Sequence, residues 1–243
     1  MATRHVLAEL LAAAVDAGLP AVEVESVGGV DAADRVAAGE AFDLVFLASG
    51  ALARLEREGH VGAATPLVLS QTAVAVPGHS LPESHPSLPE PPSSLPESPL
   101  SLPEPVEGQA FRDAAALQDA LRAAARIGYS TGPSGTALVN MISEWGLADE
   151  LEGRLVQARP GVPVAASLAA GDVDLGFQQL SELVGQPGIR ILGVMPADCA
   201  IDTVFAGAVA AASASPDDAA AVLAFLASDA VSPVKRRHAF RTP

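Results

Sequence analysis

A chain of 243 residues can build one large or two modest domains, and with aromatics at only 4% their cores must be aliphatic. The formal charge of -15 excludes a nucleic-acid binder resting on clustered cations, because the sole basic run is Lys235, Arg236 and Arg237, which fits the last turn of a C-terminal helix. A single cysteine, Cys199, excludes an intrachain disulfide and a thiolate metal cluster, and no apolar run reaches the roughly 18 residues of a membrane span.

In chain order, Leu7, Leu10, Leu11, Ala14 and Val15 form an apolar helical stripe that Gly18 and Pro20 close. Residues 21–26 alternate as a strand, Gly28 and Gly29 turn into a helix over 31–38, and 42–47 predicts a buried strand. A helix over 51–58 and a long β-prone run over 66–76 follow.

Residues 80–108 stand apart. Ser-Leu-Pro-Glu recurs at 80, 87, 94 and 101. The period is that of a coiled coil, yet a proline in each repeat removes a helix donor and clashes with the preceding turn. The composition predicts extended or disordered chain, an insert foreign to the folded body, with a functional Pro-rich ligand as the rival.

Beyond the insert, a helix over 113–124, a strand over 126–129, a loop over 130–135 and a helix to Trp145 restart the alternation. Strands over 154–157, 173–177 and 189–194, with a helix over 163–170, complete a second α/β unit. Residues 201–211 predict a returning strand, and helices over 217–227 and from 229 end the chain.

Tyr129, Ser130, Thr131, Ser134 and Thr136 put hydroxyls, with Gly135 for close backbone approach, at a helix start whose free N–H groups attract an anion. A capped helix start is the plainer role of the same residues. Gly28 and Gly29 precede a second helix start, and Ser49 follows a strand end. Backbone geometry alone also accounts for those two glycines. Gln178 and Gln179 follow the apolar strand 173–177, and alternation lets only one of them face a ligand. Arg159 could balance a carboxylate, and Asp31 and Glu144 are conceivable bases. The histidines at 5, 60, 79, 85 and 238 lack metal-ligand spacing, so neither a metal nor a cofactor is expected, and no catalytic constellation stands out.

With Gly128 to Thr136, the run Asp174, Leu175, Gly176, Phe177, Gln178, Gln179, and Pro196, the chain resembles the molybdate-binding-like branch of periplasmic solute-binding proteins. The resemblance implies an α/β, two-lobed, type II periplasmic-binding-protein-like fold carrying the Pro-rich disordered insert. Lobe 1 would comprise 1–79 plus 201–243, lobe 2 would comprise 109–200, and the crossings would be 66–76 and 201–211. Two departures stand out: the family begins with a strand before the first helix, and molybdate binders place hydroxyl residues where Gly28 and Gly29 stand and a tyrosine where Gln179 stands.

What the resemblance implies is binding of a small anionic solute, an oxyanion or organic acid, in an interlobe cleft by a monomer, for an ABC-type importer and its permease. Gln178, Gln179 and the 128–136 segment are also similar to the aconitate isomerase branch, which makes an isomerase of small organic acids the alternative. A decayed, non-binding member is a third. The resemblance implies a periplasmic location; the chain as written opens without an export signal, which implies a cytoplasmic protein or a misplaced start.

Overall fold

The computed structural model describes residues 3–78, 108–159 and 161–243. The Pro-rich repeat over 80–107 lies outside the described residues. In chain order the elements are α1 (Arg4–Asp16), α2 (Gly29–Ala37), β1 (Leu44–Ala48), α3 (Ser49–Arg57), β2 (Thr65–Pro77), α4 (Ala114–Ala123), β3 (Ile127–Tyr129), α5 (Pro133–Glu144) and β4 (Leu155–Gln157). They continue with α6 (Val164–Ala169), β5 (Leu175–Gln179), α7 (Leu180–Leu183), β6 (Ile189–Val194), β7 (Asp202–Val209), α8 (Pro216–Ala227) and α9 (Ser232–Arg237). Two compact units result, Met1–Ser70 with Thr203–Pro243, and Gln71–Asp202. Among the described residues no helix is long and apolar enough to cross a membrane.

The first unit is layered around β7, which pairs antiparallel with β1 from Leu44↔Val209 to Ala48↔Phe205 and has β2 on its other side. Alternation divides its aliphatic residues between two faces. Val45, Leu47, Ala206 and Ala208 pack under α2 and α3 with Leu52 and Leu55. Leu44, Phe46, Phe205 and Val209 turn to the opposite face with Leu67 and Val68, and α1, α8 and α9 cover them. Gly207 belongs to that face, where a Cβ would stand 2.6 Å from Leu223 Cδ1.

The expected strand over 21–26 does not form. The segment has no regular secondary structure between Leu19, whose N–H bonds the Ala14 carbonyl, and Gly28, the cap of α2, and it joins no sheet among the described residues. Alternating polarity alone cannot make a strand without a neighbour to bond. A side-chain fork ties it down instead: Arg35 of α2 donates to Glu25 at 2.7 Å and to Glu40, and both acids hold the guanidinium pKa high.

In the second unit β2 continues at the middle of a mixed sheet. It pairs antiparallel with β5, Thr72↔Gln179 through Ala75↔Gly176, and on its other edge with β6. β5, β3 and β4 then run parallel. One face, carrying Val74, Val76, Ile127, Leu175 and Phe177, packs on α4 and α5. On the other face α6 lies so close that a Cβ on Gly128 would meet Val164 at 3.0 Å and one on Gly176 would meet Leu168 at 2.7 Å. Those glycines in the 128–179 motif segments thus serve helix-on-sheet contact.

The strand expected over 173–177 is shifted to Leu175–Gln179, so both glutamines lie in β5 rather than after it. The loop expected over 130–135 is shorter: Pro133 opens α5, a position where a missing N–H costs nothing.

Candidate functional site

β3 ends at Tyr129, and three residues later α5 starts over the same sheet face, so the loop between them lies at the carboxyl end of parallel strands β3 and β5. Ser130 and Ser134 are buried, and their hydroxyls bond one another at 3.0 Å. The helix cap is Gly132, with no side-chain cap, so neither serine serves as N-cap. Gly132 O takes the N–H groups of Gly135 and Thr136, whereas those of Thr131, Gly132 and Ser134 bond no backbone carbonyl among the described residues. Thr131 and Thr136 are exposed and Tyr129 is half-buried.

Gly135 is dictated by this turn, because a Cβ there would fall 1.8 Å from the Ser130 oxygen. The result is a helix start with free donors and close backbone, suited to an anion held by neutral groups.

The two glutamines have separate roles. Gln178 turns toward α6, where its Oε1 accepts from Val164 N at 2.8 Å and its Nε2 donates to Glu182 at 2.9 Å. It closes the start of α6 and has little left for a ligand. Gln179 turns to the other face, that of Phe177 and α5, and is 3% exposed with an Oε1 that has no partner among the described residues. Its register partner Thr72 lies on the same face, is 1% exposed, and has an Oγ1 likewise unpartnered. Buried polar atoms left open in this way mark a place where the fold is not optimised for itself.

Sequence reasoning missed Thr72. The available signal was Ser70 and Thr72, two hydroxyls at the spacing of one face in an otherwise apolar strand.

In the first unit Gly28 caps α2 and Gly29 begins it, and an added Cβ at Gly29 would lie 3.9 Å from Leu47. Ser49 begins α3 directly after β1. The starts of α2 and α3 therefore meet at the carboxyl end of β1, with Gly28, Gly29 and Ser49 all exposed there. Asp31 occupies the first turn of α2. Arg159 and Glu144 are exposed.

Cys199 is held as a thiol, its pKa pushed up to about 11 by burial and by Asp198. That excludes a nucleophilic thiolate at neutral pH. Among the described residues no group of His, Cys, Asp and Glu is arranged to hold a metal ion.

The sequence model of the bacterial extracellular solute-binding proteins matches residues 1–241. Among solved structures the chain is similar to the Azotobacter vinelandii periplasmic molybdate-binding protein (TM-score 0.69, 18% identity, 99% of this chain and 96% of that one). It is similar to the substrate-binding domain of a putative molybdenum ABC transporter from Clostridium difficile (TM-score 0.69, 16% identity, 100% and 95%). A tungstate-binding protein from Desulfovibrio alaskensis gives a TM-score of 0.64 at 16% identity, over 93% and 86%. These likenesses establish the periplasmic-binding-protein fold. The chain is also 36% identical to an aconitate isomerase from Pseudomonas sp. over 113 residues, 46% of this chain and 43% of that enzyme, so it spans less than half of that relative.

Proposed function

Because the chain belongs to the bacterial extracellular solute-binding protein family, we propose that it captures a small anionic solute in the periplasm for an ABC-type importer. The observation that carries this reading is the start of α5: free N–H groups, the buried Ser130 and Ser134 pair, and a glycine at 135 that lets the backbone close in. Neutral donors of this kind hold an oxyanion or carboxylate without a counter-charge, so the net charge of -15 does not oppose it; exposed charges beyond roughly 8 to 10 Å are screened at physiological salt. Gln179 and Thr72 add polar atoms on the same face at the same end of the sheet. Gly28, Gly29 and Ser49 supply the corresponding helix starts of the first unit.

The likeness to an aconitate isomerase supports a second reading, conversion of a small tricarboxylic acid at the same site. A thermal-shift and calorimetric screen of molybdate, tungstate, sulfate, citrate and aconitate, with NMR of the aconitate sample over time, separates the two. Stabilisation without turnover supports transport, and formation of the aconitate isomer supports the enzyme. No shift with any of them removes the anion-binding reading.

A further inference from the structure

The start of α5 and the pair Thr72 and Gln179 differ in what they can bond. At α5 the groups left over are donors: the N–H groups of Thr131, Gly132 and Ser134 meet no backbone carbonyl among the described residues, and the bond between Ser130 and Ser134 uses one hydroxyl hydrogen and leaves the other. Donors alone suit bare anionic oxygens.

Thr72 and Gln179 bring acceptors as well. The backbone of Thr72 bonds on its other edge, where its N–H donates to the Ile201 carbonyl and its carbonyl accepts from the Met195 N–H, each at 3.0 Å. Thr72 and Gln179 are therefore a non-hydrogen-bonded pair of the β2–β5 ladder, the kind that brings facing side chains closest. Even so, Thr72 Oγ1 and Gln179 Oε1, both buried, bond neither each other nor any other described residue. A primary amide carries an acceptor beside its donor whichever way round it lies. A ligand of bare oxygens satisfies only the donor half of Gln179 and leaves the acceptor shut away from water, which is costly. A hydroxyl on the ligand completes the set: its hydrogen goes to Gln179 and its oxygen takes the Thr72 hydrogen.

We propose that the solute carries, beside its anionic oxygens, an O–H group that donates to Gln179 Oε1 and accepts from the Thr72 hydroxyl, so that the site selects hydroxylated anions over bare oxyanions. The inference rests on the anion-binding reading and narrows it. Two sources share this chemistry: a hydroxycarboxylate, with the O–H on a separate carbon, and hydrogen phosphate, with the O–H on the anionic centre itself. A site whose buried acceptors wait for a ligand hydrogen rejects the analogue that lacks it, because the acceptor is then left unpaired.

Calorimetric titration of the full chain at pH 7 with matched pairs tests this. Malate against succinate and citrate against tricarballylate differ only in the hydroxyl; in phosphate against sulfate, phosphate alone keeps a proton. At least one hydroxylated member is expected to bind about tenfold or more tighter than its partner, a difference of about 1.4 kcal/mol, and tighter than molybdate or tungstate. The pair that splits tells the two sources apart. Gln179→Leu is expected to bring the members of that pair within about twofold, chiefly by weakening the hydroxylated one. Thr72→Val narrows the gap in the same way, and Thr72→Ser preserves it. Equal affinities within every pair, or molybdate bound more tightly than every hydroxylated anion, overturns the proposal and leaves the anion-binding reading standing. A gap that survives in both Gln179→Leu and Thr72→Val overturns it as well. Binding of none of these solutes removes the anion-binding reading, and this proposal with it.

Discussion

The Cα of Gly135 lies directly against the Ser130 carbonyl: a Cβ at 135 would stand 1.8 Å from that oxygen, 2.8 Å from its carbon and 3.1 Å from the Tyr129 ring. Two of these neighbours are backbone, held by the end of β3 and the start of α5, so no side chain can swing aside. Gly135→Ala is expected to displace the loop, costing about 2 kcal/mol or more, or roughly 4 to 8 °C in melting temperature for a chain of this size. Solute binding is lost with it. Gly50→Ala is the control: in α3 its Cβ meets nothing within 4 Å, and it should raise stability by about 0.5 kcal/mol. Full affinity in Gly135→Ala would place the site elsewhere.

The neighbouring glutamines predict opposite phenotypes. Gln178→Leu strands the Val164 N–H and removes the bond to Glu182, and should cost about 1 to 3 kcal/mol in urea denaturation while leaving affinity largely intact. Gln179→Leu removes an oxygen that bonds nothing among the described residues, and should change stability by less than about 0.5 kcal/mol while weakening solute binding. Calorimetric titration of both variants decides the assignment. If Gln178→Leu alone loses affinity, the two roles are reversed.

These two residues illustrate how much the sequence discloses. Period-2 alternation separates Gln178 from Gln179, and the structure puts them on opposite faces; alternation carries no information about what each face meets, and the bracket from Gln178 to α6 depends on a segment 14 residues away. The α/β order was legible where the elements are long or strongly apolar, as in β2 and β7. Residues 21–26 were misjudged for a physical reason: their pattern specifies a strand, but strand formation is decided by the partner, which no local pattern contains. Thr72 stayed hidden because a hydroxyl in a strand reads as ordinary until its register partner is known to be Gln179. Lys235 stands in the last turn of a C-terminal helix, as its place in the sequence predicts, but its burial there depends on packing that no local pattern contains.

Glu9 joins α1 to the last helix of the same unit. It accepts from Arg237 and lies 2.7 Å from His238 Nε2, and chiefly Arg237, then His238, holds its carboxyl below the ordinary value of 4.5. A carboxylate with a lowered folded pKa contributes stability that is fully present above the unfolded value and is lost as pH falls through the folded one. Wild type should therefore melt above Glu9→Gln at pH 6, with the gap closing below pH 4.5. All three groups are partly exposed, so the gap is small and shrinks in 1 M salt. A gap that persists unchanged at pH 3 would assign the loss to packing.

Lys235 supplies the largest expected gain. Its side chain is 0% exposed and its Nζ has no hydrogen-bond partner among the described residues, an arrangement that desolvates a cation with only the field of Asp229 to offset it. Burial pushes the amine below its ordinary 10.5. The unfolded chain then binds more protons than the folded one between the lowered value and 10.5, so this group's cost is relieved as pH rises through that window. Lys235→Met keeps the unbranched apolar stem and deletes the charge, and should stabilise the protein by about 1 kcal/mol or more at pH 7. Its lead over wild type should narrow toward pH 10.5. Denaturation of both proteins across pH 7 to 10.5 tests this; a destabilised Lys235→Met would mean that the ammonium is bound in the native protein and supports the packing of α9.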